Sequence, residues 1–301
     1  MVVARSVTER GMSTSNGVVS RSFSSPIRPV GPLAVAQRIP ANLSRWIVIL
    51  GRAPRTQLPR PRAGALMLIA LTVAAIFGSM FFFDTTAIGW ARRLPPWFTD
   101  AADEITNLGL SGWFLYPLGF ILLSLALATT PSLPQATQGV LARLVARFGF
   151  LFTAIALPSL FATIIKRLIG RARPYVGPHD DPFAYMPFIW RPEYASMPSG
   201  HATTAAAAAV AIGAVWPRSR AVMWLYALTI LLSRVVIGVH HPSDVIAGAL
   251  VGVVGALMVR HWFAARGLAF AGDLQPRPGP SRARLKTAAR EIVGRSPPSA
   301  A

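Results

Sequence analysis

Cysteine is absent from all 301 residues. That excludes disulfides, thiol nucleophiles and Cys-based metal sites. Charge is scarce as well: 14% of residues are Asp, Glu, Lys or Arg while 53% are hydrophobic, and an average soluble protein carries about 25% charge. Acids are scarcest, 11 against 30 Lys and Arg, for a net charge of +19. A balance of that sign can indicate nucleic acid. Here the basic residues lie in the tails and in short loops between apolar runs, so no nucleic-acid partner is expected. The first 62 residues contain no apolar core long enough for a secretory signal, and no internal repeat or second domain is visible.

What the chain does have is apolar length. Ala63–Phe83 alone matches the roughly 20 residues that cross a bilayer. Gly112–Thr130 (with Pro117), Phe148–Ile165 (with Pro158), Ala202–Trp216, Ala221–Val239 and Val245–Phe263 follow. A short or Pro-containing run can be a buried helix of a soluble protein, but six in one chain predict membrane spans. The expected fold is all-α, a polytopic bundle of six transmembrane helices over 63–263. Residues 1–62 hold ten Arg and one acid, Glu9, and 264–301 is rich in Arg and Pro. Both read as disordered basic cytoplasmic tails. Arg- and Ser-rich, acid-poor composition also fits an organellar transit peptide, a reading placed second. Trp46–Leu50 is a short apolar patch, a surface-lying segment or a loop.

Lys and Arg set the orientation. With the N-terminus inside, 22 of the 30 fall in inner segments; the rest are Arg92, Arg93, Lys166, Arg167, Arg171, Arg173, Arg191 and Arg234. Eight of the 11 acids fall outside, Asp84, Asp103 and Asp244 among them. The expected site therefore faces away from the cytoplasm.

Three stretches carry chemistry. Ser196-Met197-Pro198-Ser199-Gly200-His201 precedes an Ala-rich run and reads as a turn feeding a helix start. Unpaired N–H groups and the dipole make that terminus an anion site, with His201 beside it. Upstream, Lys166 is followed after six residues by Arg173-Pro174. Seven residues are two helical turns, so a continued helix puts both cations on one face, although Gly170 weakens it. Downstream come Ser233-Arg234, then His240 and Asp244. Arg234 lies within an apolar run, where an ionisable group faces a cavity or a partner. Asp244, four residues after His240, can accept from one ring nitrogen and leave the other free. Arg167 and Arg171 are expected in a juxtamembrane basic cluster, His241 in a structural role, and His179 and His261 in none. The aromatics of 175–197 read equally as an interfacial belt or a lid, and Asp103–Gly109 is expected near the site.

Together these stretches resemble the type 2 phosphatidic acid phosphatase superfamily, the lipid phosphate phosphatases and vanadium haloperoxidases. Its pattern is K-x6-R-P, then P-S-G-H, then S-R-x5-H-x3-D, and every fixed position is met over roughly residues 63–263. The resemblance implies His240 as the nucleophile forming a phosphohistidine, Asp244 orienting it, and His201 as acid and then base. Lys166, Arg173, Ser199, Gly200 and Arg234 would hold the phosphoryl oxygens, with no metal and no cofactor. It implies a bacterial inner-membrane enzyme, active at the periplasmic face, hydrolysing a lipid phosphate or pyrophosphate. Undecaprenyl pyrophosphate, phosphatidylglycerophosphate and phosphatidic acid are candidate substrates. The alternatives are a lipid A phosphatase, a lipid phosphotransferase, or an inactive lipid-binding or transport protein.

Overall fold

The computed structural model describes residues 37–55, 63–176, 181–271 and 274–294. Most of the N-terminal tail, including Glu9, lies outside these, as do His179, Asp180 and the last seven residues. The described residues are helical with no strand; two isolated bridges join Arg171 to Tyr185 and Phe270 to Pro276.

The helices are α1 (Arg38–Gly51), α2 (Ala63–Phe82), α3 (Asp84–Ala91), α4 (Pro96–Thr106), α5 (Gly112–Ala128), α6 (Gln135–Ile169), α7 (Gly200–Val215), α8 (Arg220–Val236), α9 (Pro242–Ala265) and α10 (Arg282–Val293). Five segments are long and apolar enough to cross a membrane: α2, α4–α5, α6, α8 with the turn before it, and α9. The chain is a membrane protein. The sixth expected span, α7, has 16 residues, roughly 24 Å at 1.5 Å per residue, short of a hydrocarbon core about 30 Å thick.

Why α7 can be short follows from its place. It is ringed by α6, α8 and α9, and Ala205 to Ala209 are buried. Small residues let the backbones close in, as membrane helix pairs require. A Cβ on Gly248 of α9 would lie 2.4 Å from the Ser199 carbonyl oxygen, and one on Gly252 2.3 Å from that of Thr203. Nearby, Gly255 makes room for Pro158 of α6. The outer helices show the opposite pattern. Leu68, Leu71, Phe77 and Phe82 of α2 are exposed, as side chains facing lipid are.

At one end of the bundle lie α1 and α10, the described helices of the two tails. Asn42 of α1 donates to the carbonyls of Ala126 and Thr129, satisfying acceptors that the end of α5 leaves open. The Trp262 indole near the end of α9 donates to Leu50. Thr137 of α6 donates to Glu291 of α10. Amphipathic α1 and basic α10 are thus docked helices. The starts of α7 and α9 and the end of α6 meet at the other end.

Candidate active site

Each of the three sequence stretches reaches that second end by a definite local route. Helix α6 stops at Ile169, and Gly170 takes the left-handed conformation, φ +62°. A Cβ there would fall 1.8 Å from the Met186 carbonyl oxygen, so only glycine lets the strand-like 170–173 segment turn against the 181–195 loop. Arg173 therefore sits beyond the helix rather than two turns along it, which corrects the continued-helix expectation. Its N–H donates to Glu193, and the Ala172 N–H to Ala184.

Ser199 caps α7 with extended backbone, and its N–H donates to the Asp244 carbonyl at 3.0 Å, tying the second stretch to the third. A Cβ on Gly200 would lie 3.0 Å from Lys166 Nζ, and one on Gly109 3.1 Å from the His201 ring. Arg234 is 6% exposed and donates to Thr106 Oγ1 at 2.9 Å. Lys166, Arg173 and Arg234 repel one another across this space, with His201 in range of all three and His240 in range of Arg234 and Arg173. Three buried polar atoms here have no partner among the described residues: Ser199 Oγ, Arg173 Nε and Arg234 Nε. Buried donors are almost always paired. Unpaired donors beside an open helix N-terminus form a receptor for an anion.

Behind the cations stands His240, 2% exposed. Its Nδ1 lies 3.4 Å from Ser196 Oγ and 3.6 Å from Asp244 Oδ2, while Ser196 donates to that same oxygen at 2.5 Å. Nδ1 faces the carboxylate, which leaves Nε2 as the free nitrogen. Burial pushes the His240 pKa down to about 4; Asp244 opposes the shift, and Arg234 and Arg173 add to it. The ring is neutral at physiological pH.

Arg171 overturns its sequence reading. It is no surface cation but fully buried, with Nη2 at 2.7 Å from Asp84 and Nη1 at 2.5 Å from Asp244. Burial alone would lower its pKa; the two carboxylates outweigh that and raise it. Arg167 instead stacks on Trp190, 5.8 Å to the ring centroid. His241 is also buried; its N–H donates to Asp244 in the first turn of α9, and neither ring nitrogen finds a hydrogen-bond partner among the described residues. His261 bonds within its own helix at the far end. Among the described residues no three His, Asp or Glu side chains group to hold a metal.

Residues 147–268 match the PAP2 superfamily. Lipid A 1-phosphatase of Rhizobium johnstonii is 32% identical over 226 residues, covering 75% of this chain and 91% of the relative. The chain belongs to the PAP2 superfamily. Phosphatidylglycerophosphatase B of Escherichia coli is 25% identical over 257 residues, covering 72% of the chain and 92% of that protein. The crystal structure of a transmembrane PAP2 type phosphatidylglycerolphosphate phosphatase from Bacillus subtilis covers 74% of the chain at 21% identity, with a TM-score of 0.43.

The PAP2 match begins beyond Asp84 and Thr106. Both lie beside the site, from α3 and α4; Thr106 falls in the Asp103–Gly109 stretch expected there, whereas Asp84 has no part in the sequence patterns. Ser196, the hydroxyl between His240 and Asp244, was passed over too. One signal was available: Asp84 is a lone acid closing a long apolar run, an expensive place for a charge.

Proposed function

We propose that the protein is a membrane phosphatase that removes phosphate from a lipid phosphate ester through a phosphohistidine on His240. The observation that carries this reading is the convergence of Lys166, Arg173 and Arg234 with the unpartnered Ser199 hydroxyl, against His201 at the start of α7 and His240 in the turn between α8 and α9.

In the first step Nε2 of His240 uses its lone pair to attack phosphorus, and the bond from phosphorus to the lipid oxygen breaks. Nδ1–H stays directed at Ser196 and Asp244, so the charge developing on the ring meets a carboxylate. His201 gives its proton to the departing oxygen. In the second step His201 takes a proton from water, whose oxygen attacks phosphorus; the N–P bond breaks and its electrons return to Nε2. Phosphate leaves. Throughout, Lys166, Arg173, Arg234 and the Gly200 N–H neutralise the phosphoryl oxygens, the role preorganised donors fill in phosphoryl transfer. Arg forks suit this geometry better than point charges.

The site and the helices α1 and α10 occupy opposite ends of the bundle. This supports a periplasmic site in a bacterial inner membrane with both termini cytoplasmic. Among candidate substrates, a phosphorylated glycolipid of the lipid A type comes first, since the Rhizobium relatives matched over most of their length carry that name. Undecaprenyl pyrophosphate, phosphatidylglycerophosphate and phosphatidic acid stand behind it. The test is phosphate release by purified protein from these four lipids, with EDTA present and with or without vanadate. Release in EDTA that vanadate blocks is expected. Loss in EDTA restored by Mg²⁺ would remove the cations from their assigned job, and no release from any lipid would overturn the reading.

A further inference from the structure

Asp84 begins α3 and is wholly buried. Its Oδ1 accepts from Ser79 Oγ at 2.8 Å and from the Ser243 N–H at 3.0 Å. Its Oδ2 accepts from Arg171 Nη2 at 2.7 Å and from the Ser243 hydroxyl. Arg171 spends its other donors on the Pro182 carbonyl, the Ser243 hydroxyl and Asp244. The result is a buried row: Asp84, Arg171, Asp244, His240.

A buried ion cluster is a poor way to gain stability, since apolar side chains of similar volume usually serve as well or better. Its charge balance suggests a different purpose. Arg171 and Asp244 alone would sum to zero, and a neutralised Asp244 would do little for a cation forming on His240. With Asp84 on the opposite side of the guanidinium, the row carries one net negative charge, and Asp244 is its member nearest the imidazole.

Resting on the phosphatase reading, we infer that Asp84 is a positioning residue for the reaction: by sharing Arg171 it leaves Asp244 enough negative charge to hold the His240 Nδ1–H tautomer and to stabilise the phosphohistidine. Asp84 touches neither substrate nor the reacting ring. It acts through two intermediaries and from a helix outside the three sequence stretches.

The experiment compares wild type, Asp84→Asn, Arg171→Gln and the double variant Asp84→Asn/Arg171→Gln in full-length detergent-solubilised protein. Asp84→Asn should lower kcat ~10–100-fold, the range seen when outer partners of functional side chains are lost, with KM and vanadate inhibition little changed. The double variant restores one net negative charge and should recover most of that loss; a merely structural salt bridge predicts that it is worse than either single change. The second readout needs no substrate. In ¹⁵N spectra at neutral pH, with His240 assigned through His240→Gln, Asp84→Asn should shift the ring from the Nδ1–H toward the Nε2–H tautomer, and the double variant should shift it back. Spectra unchanged by Asp84→Asn overturn the inference even if the protein proves inactive on every lipid. A double variant that is dead, or that does not fold, overturns it too, because charges that serve only Asp244 are dispensable to the scaffold. Inactive wild type with the predicted tautomer shifts would instead sink the phosphatase reading and leave the relay standing.

Discussion

In the proposed mechanism two histidines face the same phosphate and do different work. His240 has a carboxylate behind Nδ1, whereas His201 sits at the N-terminus of α7 among cations and near Gly109. His240→Ala should therefore abolish both turnover and any trapped phosphoenzyme. His201→Ala should lose ~10²–10⁴-fold on a lipid alkoxide, the usual worth of a general acid, and much less on an aryl phosphate whose leaving group departs without a proton. Equal losses on both substrates would take the acid role from His201. His241→Ala should keep most activity. The pH behaviour of His240 follows from burial. Its pKa falls from 6.5 to about 4, so the folded protein refuses a proton that the unfolded chain accepts. Stability should then decline as pH drops from about 6.5 toward 4, with no contribution from this ring above that window. Histidine ¹⁵N titration should find His240 neutral at pH 5, and a midpoint near 6.5 would contradict the buried geometry.

At the scale of helices, the packing rests on three glycines of α9. Gly252→Leu places atoms against the Thr203 backbone, which lies 2.3 Å from where even a Cβ would sit. Overpacking costs about 1–3 kcal/mol where side chains can shift, and a carbonyl on a buried helix has little freedom to shift. This variant should lose monodisperse folded protein in detergent. Gly149→Ala on α6, where a Cβ meets nothing within 4 Å, should be neutral or raise the unfolding temperature, since alanine favours helix by about 0.5–1 kcal/mol. Equal behaviour of the two would mean that α7 and α9 are not in close contact. The contrast also shows what a sequence can reveal. Apolar runs and the ordered Lys166, Ser199 and His240 stretches were legible because length and spacing are local properties. The 202–216 run is visibly short in the sequence, but that its shortness goes with burial among α6, α8 and α9 depends on neighbours that no local pattern names. Arg171 was misread for the same reason: its carboxylates come from residues 84 and 244, and no local pattern links it to either. The helices α1 and α10 dock at one end of the bundle through Asn42 and Glu291, contacts that composition does not report.

For the molecule as a whole, aromatic placement bears on depth in the membrane. Trp90, Trp97, Trp113 and Trp190 lie at the site end, and Trp46, Trp216, Trp224 and Trp262 at the tail end. On the individual helices every tryptophan lies within about two turns of an end, the pattern of two interfacial belts. Trp190 and Phe188 are 79% and 74% exposed on the loop beside the cations, so a lipid headgroup would meet the site at the level of the belt. The proposed orientation puts the belt beside the basic residues at the cytoplasm. Arg143, Arg147, Arg218 and Arg220 share one end with α1 and α10, and the acids Asp100, Asp103, Glu104 and Glu193 share the other. Short basic loops stay on the cytoplasmic side. A reporter active only in the periplasm should accordingly signal when fused after Gly177, and remain silent after Arg218 or at the C-terminus. The opposite pattern would put Lys166, His201 and His240 in the cytoplasm, where a lipid facing the periplasm could not reach them. Arg218→Glu/Arg220→Glu tests the cause as well as the outcome. Weakening that loop's charge should raise the fraction of misoriented chains after Arg218, while the fusion after Gly177, held by the ten Arg of the first 62 residues, should change less.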